Sequence, residues 1–232
     1  MSLIKQLTAD FFHLLFPECC NACGTRLFYG EKCICIRCLY DLPYTDFHLY
    51  PDHPAAKLFW GRLPCQEVMA LLYFKKGTKA QNLIHQLKYK GQIDVGFMLG
   101  LMIGEKLLSN PSYQKADLII PVPLHRKKEN SRGYNQSKSI ADGIAKILQL
   151  PVVTGLLIRQ TDTFTQTKKS RYSRFENMHS VFKLSKPHIL KNQHVLLIDD
   201  VITTGATLEA CGKILLDSGL NKLSIAAAAY AE

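Results

Sequence analysis

The chain has 232 residues, an apolar fraction of 47% and a formal charge of +10, which fits one ordinary domain with a small appendage and a self-sufficient core. No apolar run reaches eighteen residues, so no membrane-spanning helix is expected. The apolar stretch 1–17 is interrupted by Lys5, Asp10 and His13 and lacks a small-residue cleavage site, so it reads as an amphipathic helix docked on the protein, not as a signal peptide.

Six of the eight cysteines follow between Cys19 and Cys38. Without a secretion signal, a reducing compartment is expected, and clustered thiols there point to metal before disulfides. Cys20-x2-Cys23 and Cys35-x2-Cys38, separated by eleven residues, form two knuckles whose sulfurs can meet in a tetrahedron, the arrangement of structural zinc. Cys19-x3-Cys23 and Cys33-x4-Cys38 leave rival ligand sets open. Four protein ligands would close the coordination shell, so the site is read as structural. His48 and His53 read as loop residues, and residues 43–64, with four prolines and Gly61, as an irregular linker.

Beyond the linker, strands and helices alternate. Val68 to Phe74 reads as a strand, Lys79 to Tyr89 and Val95 to Leu108 as helices, and Asp117 to Pro123 as a short buried strand stopped by prolines. Ser137 to Leu148 has apolar residues at helical spacing. The polar segment from Arg159 to Asn177 has no useful period and reads as a functional loop. His194 to Ile198 is a second buried strand, Thr207 to Leu216 a helix, and Leu223 to Ala229 a last strand. The alternation predicts an α/β fold: a mainly parallel sheet with flanking helices. Residues 1–60 read as a helix, a cysteine module and a linker, and residues 61–232 as the α/β domain.

The segment Val195-Leu-Leu-Ile-Asp-Asp-Val-Ile-Thr-Thr-Gly-Ala-Thr207 carries the most chemistry. Its apolar residues make a buried strand, which places Asp199 and Asp200 at the C-terminal edge where open α/β sheets bind ligands. Thr203, Thr204, Gly205, Ala206 and Thr207 then turn into a helix, directing N–H groups, hydroxyls and the helix dipole at one point. That is a monophosphate cradle. Carboxylates for ribose hydroxyls beside a phosphate nest fit a sugar phosphate.

This string resembles the phosphoribosyl-pyrophosphate (PRPP) signature of type I phosphoribosyltransferases. His85-Gln-Leu-Lys-Tyr-Lys-Gly91, Pro121-Val-Pro-Leu-His125 followed by Arg132-Gly-Tyr-Asn-Gln136, and Arg159-x3-Thr163-x2-Gln166 with Arg174-x2-Asn177 narrow the resemblance to the ComF/GntX family. The better-known members of that family serve DNA uptake in natural competence. Lys169 departs from the family, where an apolar residue is usual.

The resemblance implies a type I phosphoribosyltransferase-like fold, PRPP with Mg²⁺ at Asp199 and Asp200, and the 5′-phosphate at Thr203 to Thr207. It places pyrophosphate on the loop from Pro121 to Arg132, with His125, Arg126 and Lys127 as contacts and the Arg-Gly-Tyr-Asn-Gln run as structure. It makes the segment from Arg159 to Asn177 a hood over the ligand. Lys168, Lys169, Arg171 and Arg174 there, interleaved with aromatics, also suit single-stranded DNA. Charge agrees with an anionic partner: residues 1–60 hold five Lys/Arg against six Asp/Glu, and residues 61–232 hold twenty-four against thirteen.

Two functions compete. In one, the fold binds PRPP and handles incoming single-stranded DNA in transformation, in the cytoplasm and beside other DNA-uptake or recombination proteins. In the other, it is an active phosphoribosyltransferase with an acceptor that the sequence does not name.

Overall fold

Four apolar segments dictate the centre of the molecule, and all four are strands of one parallel sheet. The computed structural model describes residues 17–159 and 181–231. The N-terminal helix expected over 1–17, apart from Pro17, and the cations Lys168, Lys169, Arg171 and Arg174 fall outside them. The sheet order is β1 (Glu67–Phe74), β6 (Lys222–Ala231), β5 (His194–Ile202) and β2 (Leu118–Pro121). The two middle strands are the last in sequence, and they are buried nearly end to end. Register runs Val195↔Leu223 and Ile198↔Ala226 on one side of β5, and Leu118↔Val195 on the other.

β5 is longer than its apolar run implies. Pairing continues through Asp199↔Ala227 to Ile202↔Tyr230, so both acids stand within the strand. Among the described residues, no helix is long and apolar enough to cross a membrane.

Between β1 and β2 lie helices α3 (Lys79–Tyr89) and α4 (Ile93–Leu108), preceded by the short α1 (Ile36–Tyr40) and α2 (Pro54–Lys57) and followed by the one-turn α5 (Pro111–Gln114). After β2 come α6 (Arg126–Arg132) and α7 (Gln136–Leu148); α8 (Ala206–Asp217) joins β5 to β6. A two-stranded antiparallel pair, β3 (Leu157–Arg159) and β4 (Phe182–Leu184), stands apart from the main sheet.

The expected loop from Pro121 to Arg132 is in fact half helix. His125 Nδ1 caps α6 by accepting from Lys127 N–H at 3.2 Å, and Gly133, at φ 80°, ends it. The sequence Arg-Lys-Lys-Glu-Asn-Ser-Arg buries no residue, so no apolar period announces the helix.

Helices α4 and α7 touch through glycine. Gly96, Gly100 and Gly104 recur every fourth residue and form a groove along α4. A Cβ on Gly100 would run into the Ile140 carbonyl oxygen, and one on Gly143 into the Phe97 carbonyl oxygen. Ser139 uses the proximity to donate its hydroxyl to Ile93 O at 2.7 Å.

Residues 43–64, read as a linker, are tied to the sheet. Tyr44 bridges Leu72 on the free edge of β1, Tyr73 N–H donates to Pro43 O at 2.8 Å, and Thr45 N–H to Leu71 O at 3.1 Å. His53 is buried and stacks on Phe47 at 4.2 Å. Its Nδ1 accepts from Ala56 N–H, and its Nε2 bonds Val68 O at 2.8 Å. Both ring nitrogens are therefore used, and His53 has no lone pair for a metal.

Helix contact through backbone predicts intolerance to a single methyl. Gly143→Ala should lower unfolding free energy by an amount at the upper end of the ~1–3 kcal/mol that overpacking costs, because the obstructing atoms are backbone. Urea denaturation giving unchanged stability would contradict the close approach.

Candidate functional site

All main-sheet strands run parallel, so their C-terminal ends open on one edge of the sheet, where open α/β folds bind ligands. A cleft of about 510 Å³ lies there, bounded by Phe74 after β1, Val122 to Leu124 after β2, and Asp199 to Thr203 at the end of β5. Helix α3 forms one wall. Gln81, Ile84, His85, Lys88 and Tyr89 line the cleft at positions i, i+3, i+4, i+7 and i+8, while Ala80, Leu83 and Leu87 are buried.

The two acids on the cleft floor are balanced differently. Asp199 Oδ1 accepts from Ser137 Oγ at 3.1 Å and from Asp200 N–H at 2.8 Å. Burial first, and the Asp200 charge second, push the Asp199 carboxyl up to about 7. Asp200 instead pairs with Lys88 Nζ at 2.9 Å, with the two side chains only 15% and 23% exposed.

Gly205, buried against Phe59 and not part of the cleft lining, starts α8 with φ 73°, a conformation that only glycine adopts freely. It contributes no side-chain cap. The first N–H group of α8, that of Ala206, donates to Thr204 Oγ1 at 3.4 Å. Thr203 and Thr207 face the cleft. The turn is braced from behind: Arg62 donates to Leu58 O at 2.9 Å and Thr204 O at 3.3 Å, and pairs with Glu209. Lys213 meets the same carboxylate at 2.6 Å. Burial alone would raise the Glu209 carboxyl; hydrogen bonds from Lys213 and Arg62 outweigh it and hold it below the usual range. Sequence reading missed Arg62 and Glu209, because neither belongs to a motif and they lie 147 residues apart.

The cations near β2 sort by helix geometry. Lys128 and Arg132, one turn apart on α6, line the cleft. His125, Arg126 and Lys127 do not line it; the first caps the helix, and the other two are exposed. Arg159, at the end of β3, reaches the cleft from a further direction.

The run from Arg132 to Gln136 is a joint. Tyr134 hydroxyl donates to Leu87 O of α3, and Asn135 caps α7 by accepting from Ser137 N–H at 2.9 Å while donating to Val122 O at 3.0 Å. Gln136 Oε1 accepts from Arg132 at 2.8 Å. The five residues therefore fasten α3, β2, α6 and α7 together beside Asp199.

The cysteines resolve into one set. Sγ atoms of Cys20, Cys23, Cys35 and Cys38 all lie within 4.8 Å of one another, with Cys23 and Cys35 at 3.9 Å. Four sulfurs about a zinc ion at ~2.3 Å stand roughly 3.8 Å apart, so this cluster is compatible with structural zinc. Cys35 N–H donates to Cys20 Sγ at 3.3 Å, and Gly24, at φ 79°, closes the first knuckle. Glu31 pins the intervening loop by accepting from Phe28 N–H at 2.7 Å and Ile36 N–H at 2.8 Å. Cys33 stands outside the cluster, in left-handed backbone at φ 63°. Burial pushes its thiol up to about 11.

Comparison with known proteins adds to this geometry. The phosphoribosyl transferase domain family matches residues 135–232. The DNA utilization protein YhgH of Salmonella typhimurium is 31% identical over 203 residues, which cover 86% of this chain and 85% of that protein. Competence protein F of Haemophilus influenzae is 34% identical over 113 residues, 47% of this chain and 48% of its own. Competence protein ComFC of Bacillus subtilis is 28% identical over 102 residues, 44% of this chain and 39% of its own.

The raised Asp199 carboxyl makes stability depend on pH. Its ordinary value is 3.8 and its folded value about 7, so between those values the unfolded chain has released a proton that the folded chain retains. Stability from this group is complete below pH ~4 and falls as pH rises toward 7. Asp199→Asn removes the titration, so its melting temperature should rise relative to the parent between pH 4 and pH 8. Parallel melting curves for the two proteins across that range would refute the assignment.

Proposed function

The chain belongs to the ComF family, and on that premise we propose that it binds PRPP in the cleft and handles incoming single-stranded DNA during natural transformation. The observation that carries the ligand reading is the acid pair of β5 sharing one cleft with Thr203 and Thr207, which flank the start of α8. Asp199 and Asp200 accept from the ribose hydroxyls. The turn from Thr203 to Thr207, including Ala206, takes the 5′-phosphate through N–H groups and hydroxyls. Lys128 and Arg132 face the diphosphate, with His125 fixing the helix that presents them.

The donor set at the floor is all oxygen, which suits Mg²⁺. Bound with PRPP, the ion would neutralise diphosphate charge. Lys88 already supplies one positive charge to Asp200, so ligand and metal compete with an internal cation for that carboxylate. DNA handling is supported by the names of the relatives in Salmonella typhimurium, Haemophilus influenzae and Bacillus subtilis and by the basic charge of residues 61–232. The acid pair and phosphate turn are also what ribose 5-phosphate transfer would need. Pyrophosphate release from PRPP with and without single-stranded DNA separates binding from turnover.

Replacing Asp199 and Asp200 with Ala removes the acceptors for two charge-assisted hydrogen bonds, worth ~1.5–3 kcal/mol each. PRPP affinity measured by calorimetry should fall well over tenfold while the fold persists. Equal affinity in variant and parent would remove the ribose from this floor.

The cysteine set carries its own expectation. Purified protein should hold about one zinc per chain. Cys38→Ser should release it and lower the melting temperature, since binding there is folding energy, whereas Cys33→Ser and Cys19→Ser should retain it. Full zinc content in a Cys20/Cys23/Cys35/Cys38 quadruple serine variant would place the metal elsewhere.

A further inference from the structure

The cleft wall opposite the phosphate turn is not shaped for phosphate. On α3, His85 and Tyr89 are one turn apart and both line the cleft, with ring centroids at 5.0 Å and planes tilted by 44°. Tyr89 is 66% exposed, so its ring is held at the cleft mouth without being absorbed into the core. Arg132, itself held by Gln136, sets its guanidinium 5.3 Å from the Tyr89 ring centroid. Lys88, between the two aromatics in sequence, reaches back to Asp200. An aromatic pair steadied by a cation, one residue from the acid pair, is a surface for a flat heteroaromatic ring.

A second depression continues from the first. It holds about 440 Å³ and is lined by Tyr73, Phe74, Lys75, Lys76 and Ala231. Phe74 borders both depressions, and Lys75 and Lys76 are exposed. Aromatics with cations beyond them are the pattern that holds single strands: bases stack, and cations track the phosphates.

We propose that the His85–Tyr89 face of α3 is a nucleobase subsite, and that a single strand seated on it continues over Phe74 to Lys75 and Lys76. This rests on the reading of the cleft as a PRPP and single-strand site, and it names where the base lies. The same stacking chemistry serves a free nucleotide or a strand. Only the strand engages Lys75 and Lys76, because only it has phosphates extending that far.

The test titrates the full-length protein with PRPP, thymidine 5′-monophosphate, an oligo(dT) strand and an abasic strand of equal length. The variants are Tyr89→Ala, Tyr89→Phe and Lys75→Glu/Lys76→Glu, each checked for an unchanged melting temperature. Tyr89→Ala should weaken oligo(dT) about tenfold or more while leaving PRPP and the abasic strand unchanged; Tyr89→Phe should bind oligo(dT) like the parent. Charge reversal at Lys75 and Lys76 should weaken both strands and spare the mononucleotide. Undiminished oligo(dT) binding by Tyr89→Ala, or a parent that binds oligo(dT) no better than the abasic strand, overturns the subsite and leaves PRPP binding standing. Charge reversal without effect on either strand overturns the path. A parent that fails to bind PRPP overturns the cleft reading, whereas base-dependent strand binding is judged on the other titrations.

Discussion

Two carboxylates on adjacent residues of a central strand cannot both stand ionised and uncompensated at the floor of a cleft. Alternation along β5 sends their side chains to different partners. Asp199 meets Ser137 on α7, and burial favours its protonated form; Asp200 meets the Lys88 ammonium on α3. One charge is suppressed and the other matched. The acids remain available to a ligand because each compensation is reversible: a proton can leave, and a lysine side chain can swing away.

That arrangement requires α3 and α7 to be held at fixed distances from the strand end, and the supports are remote from the cleft. The glycine groove of α4 sets the approach of α7. Tyr134 ties α3 to the turn before α7. The other end of α3 is fastened to the cysteine module, where Asn82 Nδ2 donates to Ala22 O at 2.8 Å and Lys79 pairs with Asp41. Ala22 lies between two cysteines of the four-sulfur cluster. The four-cysteine cluster is therefore one contact away from the helix that carries His85, Lys88 and Tyr89.

The sheet was legible because buried parallel strands need apolar runs, and each run named in the sequence became one of the four strands. Asp199 and Asp200 were legible as cleft residues from their place after Val195 to Ile198, although the strand continues past them. Other features had no local signal. Gly96, Gly100 and Gly104 read as ordinary residues of an apolar helix until α7 lies across them. The Arg62–Glu209 pair joins segments with no common pattern. The paired x2 spacing named the four cysteines that cluster, Cys20, Cys23, Cys35 and Cys38, whereas the left-handed backbone that sets Cys33 apart is not encoded in spacing. His125 read as a phosphate contact because a short polar helix with no buried face is indistinguishable from a basic loop in one dimension.

Charge in the cleft gives these supports a common purpose. Among the described residues, its lining carries Lys88, Lys128, Arg132 and Arg159 against Asp199 and Asp200, and burial favours the protonated form of Asp199. Lys88 is already matched by Asp200, so the excess positive charge of the lining comes from Lys128 and Arg132 on α6 and Arg159 on β3. An anion placed among them would meet positive charge from two elements at once. A neutral ligand of the same shape would gain stacking and hydrogen bonds alone. The basic lining thus follows from where α6 and β3 end, and no single cation carries it.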